Sequence, residues 1–299
     1  QINTASNQLQ IYGLGGNDDA TLITTIKKQK PKAKVKLKNR VNTLIVDKST
    51  SSASGITTTS LNDGLTFGNF PYGTRVQDED ISLNVPDAYV VYKIYESADT
   101  SNATAPTLVL TSLTGATGKT SDLIIGEKIK GKTTQSCAIL AENVTDFKIS
   151  FIVQNETNFK EGETVVFEES NIEAVITTID SPSFDITSNF SYENGQKEDF
   201  YNYSSIVRNS DAKAPTKKLK IYFGNGHYES TDDGDITTVD SYSTYNYSTQ
   251  IPSVNGIRNT DILDIRPRVS DYVVSADSRS PLEFFGRSFN ASGNSAANI

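Results

Sequence analysis

The chain has 299 residues, of which 36% are apolar, and a formal net charge of −8. The acidic balance argues against a nucleic-acid binder held by phosphate charge, because such a surface needs an excess of Lys and Arg. No apolar run approaches the length of a membrane-spanning helix, so no membrane insertion is expected, and the single cysteine, Cys137, excludes an intrachain disulfide and a cysteine-based zinc site.

Near the N-terminus, Lys28, Lys30, Lys32, Lys34, Lys36, Lys38 and Arg40 occupy every second position. In a strand this period places them on one face, with Pro31, Ala33, Val35 and Leu37 on the other. Two readings follow. One is a solvated edge strand whose Lys and Pro oppose edge-to-edge pairing; the other is a surface that docks on an acidic neighbouring subunit. No aromatic residues interleave to stack on bases.

Strands are predicted at residues 88–95, 107–110, 147–153, 164–167 and 219–223, which are β-branched or aromatic and bounded by turn residues. Turn chemistry is dense, with Asp63-Gly64, Gly115, Gly118, Asn194-Gly195, Asn225-Gly226, Asp233-Gly234 and Asn255-Gly256. No long window carries a 3.6-residue apolar period, and the best helical candidate is a single turn near Pro281 to Phe285. The expected class is all-β and multi-domain, built of small β-sandwich or β-barrel modules with very little helix. Polar stretches near residues 100 and 180 suggest three parts. These are an N-terminal β domain with the Lys-rich strand (1–100), a repeated β-hairpin module (101–180), and a Tyr-rich β domain ending in an extended tail (181–299).

The middle part repeats itself. Gly126-Glu127, Gly131 and Ala138-Ile139-Leu140 recur 36 positions later as Gly162-Glu163, a β-rich run, and Ala174-Val175-Ile176. Each copy reads as a Gly-Glu turn followed by a hairpin, and two hairpins can pair or close into a small barrel. Cys137, just before Ala138, reads as a small core residue.

Motifs that suggest chemistry fail on inspection. The 114–120 segment resembles a phosphate loop, but Leu113 stands where its first glycine is needed and no helix follows. Gly13-Leu14-Gly15-Gly16 lacks the third glycine of a dinucleotide fingerprint. His227 is the only histidine, placed in a Gly-Asn-Gly turn with no adjacent nucleophile. Asp232, Asp233, Asp235 and Asp240 offer hard oxygens but not the spacing of a calcium loop. No cofactor, metal ligand or catalytic residue is therefore assigned, and no pair among the 36 acidic residues stands out for glycosidic chemistry. Tyr192, Tyr201, Tyr203, Tyr222, Tyr228, Tyr242, Tyr245 and Tyr247 crowd one region and could form a surface for proteins or sugars.

Several stretches resemble large virion structural proteins of contractile-tailed bacteriophages, of cyanophage and marine-phage type. They are Arg40 to Leu44, Leu61 to Phe67 with Tyr72 to Val76, Leu83 to Val91, Val239 to Tyr242, Asp261 to Val269, and Ser280 to Phe284. The repeat pattern is also common in phage tail proteins. The resemblance implies a non-enzymatic tail, baseplate or fibre-attachment segment in the virion. Such a segment packs with copies of itself, as a homo-oligomer, and with other tail proteins. A chain without Met that begins Gln1-Ile2-Asn3 agrees with a segment of something longer. The residues expected to make assembly contacts are Lys32, Lys34, Lys36 and Lys38, with Asp264, Arg266 and Arg268 in assembly contacts or buried ion pairing. A local turn held by an Asp–Arg pair is the alternative for the last three. A host-surface glycan-binding module using the Tyr-rich third is the alternative function.

Overall fold

The computed structural model describes residues 30–50 and 64–266, apart from 69, 116, 199, 229–231, 233 and 235, together with two short strand pairs, Ile2–Asn3 with Gln8–Leu9 and Arg287–Phe289 with Ser295–Ala297. Gln1–Pro31 and Lys32–Ile299 are separate compact units, and all that follows concerns the second. The protein is all-β: 47% of the described residues are strand, and none of the described helices reaches seven residues. None of its described helices is long and apolar enough to cross a membrane.

The principal strands are β1 (Leu37–Val46), β2 (Asp80–Pro86), β3 (Ala88–Ser97), β4 (Thr107–Thr111), β5 (Lys128–Gly131), β6 (Cys137–Thr145), β7 (Lys148–Val153), β8 (Thr164–Phe167), β9 (Ile172–Asp180), β10 (Ser183–Asp185), β11 (Phe190–Glu193), β12 (Tyr203–Arg208) and β13 (Leu219–His227). They form a four-stranded sheet in the order β10-β3-β13-β1, a three-stranded sheet β11-β12-β2, and a closed six-stranded barrel β6-β7-β4-β9-β8-β5. All pairings in these sheets are antiparallel.

The two open sheets share one apolar core. Val46, Ile81, Leu83, Ile94, Ile206, Leu219, Ile221 and Phe223 come from both and are buried together. Each fully buried side chain of this size contributes about 1.5–3 kcal/mol. Strands from both sides of the barrel interleave in these sheets, β3 beside β13 and β2 beside β12. Separate domains at 1–100 and 181–299 do not fit this topology. The reason is hydrogen bonding: β3 from the first part and β13 from the last satisfy one another's backbone groups, so neither sheet is complete alone.

Strand β13 is buried on both faces. Leu219, Ile221 and Phe223 point into the sandwich core, while Tyr222 joins Tyr95, Ala103, Ala105, Ala141 and Ile152 in a second cluster against the barrel. Asn225-Gly226 and His227, expected as a turn, lie at the end of this strand, with His227 opposite Leu37. The glycines there serve close packing rather than turning. A Cβ on Gly224 would sit 2.5 Å from the Tyr89 ring, and one on Gly226 would sit 2.6 Å from the Tyr245 hydroxyl and 2.7 Å from Asp87 Oδ2. Asn255-Gly256, in contrast, makes the two-residue hairpin turn its dipeptide favours, with both φ angles positive.

The barrel is a three-stranded unit used twice, β4-β5-β6 and β7-β8-β9. Lys130 pairs with Val166, its own equivalent 36 positions on, and Leu108 pairs with Ile149, so a pseudo-two-fold axis passes through both pairs. The hydrogen bonds repeat: Gly126 N–H to Leu140 O and Gly162 N–H to Ile176 O are both 2.8 Å. So do the left-handed residues Gly126 and Gly162, and Gln135 and Asn171. So do the bulges between Leu140 and Glu142 and between Ile176 and Thr178. The core is filled by equivalent pairs, among them Leu123 and Phe159, Ile129 and Val165, and Ala138 and Ala174. Cys137 is half-buried, not a core residue, because alternation turns it away from the side Ala138 faces.

The two glutamates of the repeat are staples between the copies. Glu127 Oε2 accepts from the backbone N–H of Glu169 and Ser170 in the other copy's hairpin turn, at 3.0 and 2.8 Å, and Oε1 accepts from Ile124 N–H at 2.7 Å. Glu163 Oε1 does the same for Thr133 and Thr134, at 2.8 and 2.6 Å, and Oε2 accepts from Lys160 N–H at 3.2 Å. Both carboxylates are buried. Each copy thus closes the other's turn, and charged acceptors make these bonds stronger than neutral ones.

Glu163→Gln is expected to lower the folding free energy by about 1–3 kcal/mol, read as a shifted urea midpoint; an unchanged midpoint would refute the staple. Burial alone raises the Glu163 pKa, and the hydrogen bonds from Thr134, Lys160 and Thr133 outweigh it and pull it down. A carboxylate whose pKa is depressed on folding stabilises above its unfolded value, about 4.3, and that contribution is lost as pH falls through the folded value. The gap between wild type and Glu163→Gln should therefore narrow on acidification below about pH 4.

Candidate functional site

The lysine stripe and the tyrosine-rich region, distant in sequence, meet in space. Lys34 Nζ lies 4.9 Å from the ring centre of Tyr228, and Lys38 Nζ lies 5.3 Å from that of Tyr245. Between them, Lys36 is buried and its Nζ faces the rings of Tyr242, Tyr201 and Tyr228 at 4.6, 5.2 and 5.7 Å. Its ammonium pairs with Asp87 Oδ2 at 2.6 Å and donates to the Tyr242 hydroxyl at 3.0 Å.

This reverses the expectation of a wholly solvated or docking face. Lys36 is inside, and its neighbour Val35, on the nominally apolar side, is 54% exposed. Burial of a lysine is unfavourable unless a counter-charge and aromatic faces replace water, and Asp87 with the three tyrosines supplies both. The backbone runs the same way: Lys34 and Lys36 N–H donate to Ile236 O and Ser241 O, and Val35 N–H donates to Asp232 Oδ2. Asp232 is therefore engaged with the lysine segment. Lys32 is exposed. Lys38 donates to Gln250 Oε1 at 3.1 Å, and burial together with the charge of Arg40 lowers its pKa.

A second buried ion pair adjoins the cage. Arg266 binds Asp264 at 2.8 Å and also donates to Gln196 Oε1 and Lys197 O. The Tyr201 hydroxyl donates to Asp264 Oδ2, and Asn259 Nδ2 donates to the Tyr201 oxygen at 3.1 Å. Burial raises the Asp264 pKa, and Arg266 and Tyr201 more than reverse it. The expected Asp–Arg pair is thus an internal tie across chain segments and not a local turn alone. Asp264 is buried, whereas its neighbours Leu263 and Ile265 are 71% and 77% exposed. Arg268 lies outside the described residues, as do Lys28, Asp233, Asp235, the 281–285 turn and the 13–16 glycines.

The tyrosine-rich third is consequently not a tyrosine surface. Tyr201, Tyr222 and Tyr242 are buried, and Tyr192, Tyr203, Tyr228 and Tyr245 are half-buried; Tyr247 is exposed. Burial raises the pKa of Tyr192, Tyr201, Tyr222 and Tyr242, so their hydroxyls are donors at neutral pH. The phosphate-loop look-alike is filled by its own chain. The Asp122 carboxylate accepts from Thr117 N–H and Oγ1, at 3.0 and 2.9 Å, which is where an anion would have to sit.

Barrel and sandwich are joined by charge. Glu142 of the barrel accepts from Lys220 Nζ at 2.7 and 2.8 Å and from the Tyr222 hydroxyl at 2.9 Å. Arg40 makes a two-pronged contact with Glu169, at 2.6 and 2.8 Å. That contact lowers the Glu169 pKa and, first among its causes, raises that of Arg40. Gly126 packs against Arg40, where a Cβ would meet its side chain at 2.5 Å, whereas among the described residues nothing lies within 4 Å of a Cβ on Gly162. The pseudo-symmetry is broken here: one Gly-Glu corner docks the barrel and the equivalent corner stays open.

Beside this contact is a groove of about 380 Å³ lined by Lys38, Arg40, Tyr89, Tyr92, Lys128 and Gln250, with Glu168 and Glu169. The Tyr89 and Tyr92 hydroxyls donate to Asn39 O and Arg40 O, fixing the rings on the edge strand β1. Sequence reasoning missed this groove, since Tyr89 and Tyr92 read only as strand residues. No three of the described His, Cys, Asp and Glu residues are grouped so that they could hold a metal ion.

Comparison with protein-family models, curated proteins and solved structures returned no match.

Asp264→Ala leaves Arg266 buried without its counter-ion and is expected to cost about 3–5 kcal/mol of stability. Equilibrium denaturation followed by tyrosine fluorescence checks this, and a loss below about 1 kcal/mol, the scale of an exposed pair, would show the tie to be a surface one.

Proposed function

We propose that this chain is a non-enzymatic structural component of a bacteriophage virion, a segment of a larger tail, baseplate or tail-fibre-attachment protein that works through contacts with copies of itself and with other tail proteins. The observation that carries the reading is how the charged groups are used. Glu127 and Glu163 close the barrel turns, Asp87 and Asp264 hold buried cations, and Glu142 and Glu169 bind barrel to sandwich. Groups that an enzyme would aim at a substrate are here directed into the framework. A framework of this kind suits a part that must keep its shape under load. The phage-like sequence stretches point to the same role. The decisive experiment is mass spectrometry of purified particles of the source virus, combined with electron microscopy of particles carrying a labelled copy. The chain should be present at fixed stoichiometry in the tail, and its absence from intact particles would end the proposal.

A second reading rests on the groove beside Arg40. Two tyrosine rings with Lys38, Lys128 and Gln250 offer stacking, charge and hydrogen bonding to an acidic host-surface glycan. A glycan array probed with the folded chain should then give a signal that Tyr89→Ala reduces at least about tenfold, a loss of 1.4 kcal/mol. A blank array with the intact protein would leave the structural role alone.

A further inference from the structure

The Lys36–Asp87 contact is placed as a reactant pair. Both side chains are shut off from solvent, at 0% and 2% exposure, and Nζ lies 2.6 Å from Oδ2, so the carboxyl carbon is one C–O bond beyond. Three other elements hold the two groups there. Asp87 sits in the left-handed conformation, φ 65°, between β2 and β3, and its carbonyl accepts from Gly226 N–H at 2.9 Å. Gly226 leaves room for the pair, because a Cβ would meet Asp87 Oδ2 at 2.7 Å and Lys36 Cδ at 3.2 Å. Gln196 Nε2 approaches Oδ1 at 3.4 Å, and Tyr242 accepts from Nζ at 3.0 Å.

We propose that Lys36 and Asp87 condense to an intramolecular isopeptide bond. Proton transfer from the ammonium to Oδ2 gives a neutral amine and a carboxylic acid. Such transfer is favoured in a dry site, where separate charges are costly. The Nζ lone pair then attacks Cγ. The nitrogen gives up a second proton to the same oxygen, the Cγ–Oδ2 bond breaks, and water leaves. Of the three ammonium hydrogens, two depart in the water and one remains as the amide N–H, directed at the Tyr242 oxygen. Oδ1 becomes the amide carbonyl facing Gln196. No oxidant, nucleotide or metal is needed for the balance. Fixed juxtaposition supplies the drive, since well-oriented intramolecular partners reach effective molarities of about 10⁵–10⁸ M. Excluded water also protects the product from hydrolysis. The bond would link the entry to edge strand β1 with the β2–β3 corner, closing a covalent ring over residues 36–87.

The test is intact-mass measurement of the purified, folded full chain, followed by tandem mass spectrometry of its peptides. The wild-type protein should be lighter than its sequence by one water, with the peptides bearing Lys36 and Asp87 joined. Lys36→Arg keeps the ion pair, and it and Asp87→Ala should both show the full sequence mass. Folded wild type at its full sequence mass overturns the proposal. So does a water loss that maps to other residues or persists in either variant. The wild-type mass decides the matter even if a variant fails to fold.

Discussion

The burial of one lysine organises this molecule. Lys36 enters the interior at the start of β1, and its charge requires an anion and polarisable faces around it. Meeting that requirement brings together the β2–β3 corner at Asp87, the end of β13 at Gly226, and the tyrosines of the last third, including Tyr201 and Tyr242. The Asp264–Arg266 pair continues the network through Tyr201. Buried polar networks are costly when incomplete and specific when complete, so this one selects a single arrangement of segments far apart in the chain.

The barrel reaches the same end by symmetry. Its two copies exchange glutamate staples, so neither turn is closed without the other copy. Such reciprocity makes the barrel a cooperative unit, and a closed barrel has no strand edge left to pair with a stranger. The asymmetry is introduced from outside, where Arg40 of the sandwich occupies the Gly126 corner and binds Glu169. One end of the barrel is thereby fixed to the sandwich, while the Gly162 corner makes no such contact with the described residues. The ion pair itself is half-exposed and contributes little energy; its value is positional.

The proposed structural role calls for stiffness more than for chemistry. Stiffness here comes from ties between sequence-distant segments: carboxylates to backbone N–H groups, cations to tyrosine rings, and an arginine fork across a module boundary. The exposed Leu263 and Ile265 flank Asp264, whose pairing with Arg266 is one of the buried ties, so the apolar surface of that segment stands on a rigid base. The proposed virion role and the proposed cross-link are separate claims, and either can stand without the other.

Local chemistry made much of the fold legible. Strand periodicity at residues 88–95, 164–167 and 219–223, the Asn255-Gly256 hairpin turn, the scarcity of helix and the Gly-Glu repeat all follow from short-range steric and hydrogen-bonding rules, and the strands appear where those rules put them. Strands 107–110 and 147–153 are legible singly but not as equivalent first strands of the two copies, because Leu108 and Ile149 are 41 positions apart rather than 36, the longer connection in the first copy breaking the alignment. What only the tertiary structure decided is which way the charges point. Alternation places Lys34, Lys36 and Lys38 on one face but is silent on whether water or Tyr242 lies beyond it. Gly224 and Gly226 read as turn residues because the rings and carboxylate that need their missing Cβ atoms come from elsewhere in the chain. The sequence alone determined the strands and the repeat, since both depend on neighbours within a few residues; burial of Lys36 and Asp264 depends on partners tens to hundreds of positions away, which only the folded chain brings within reach.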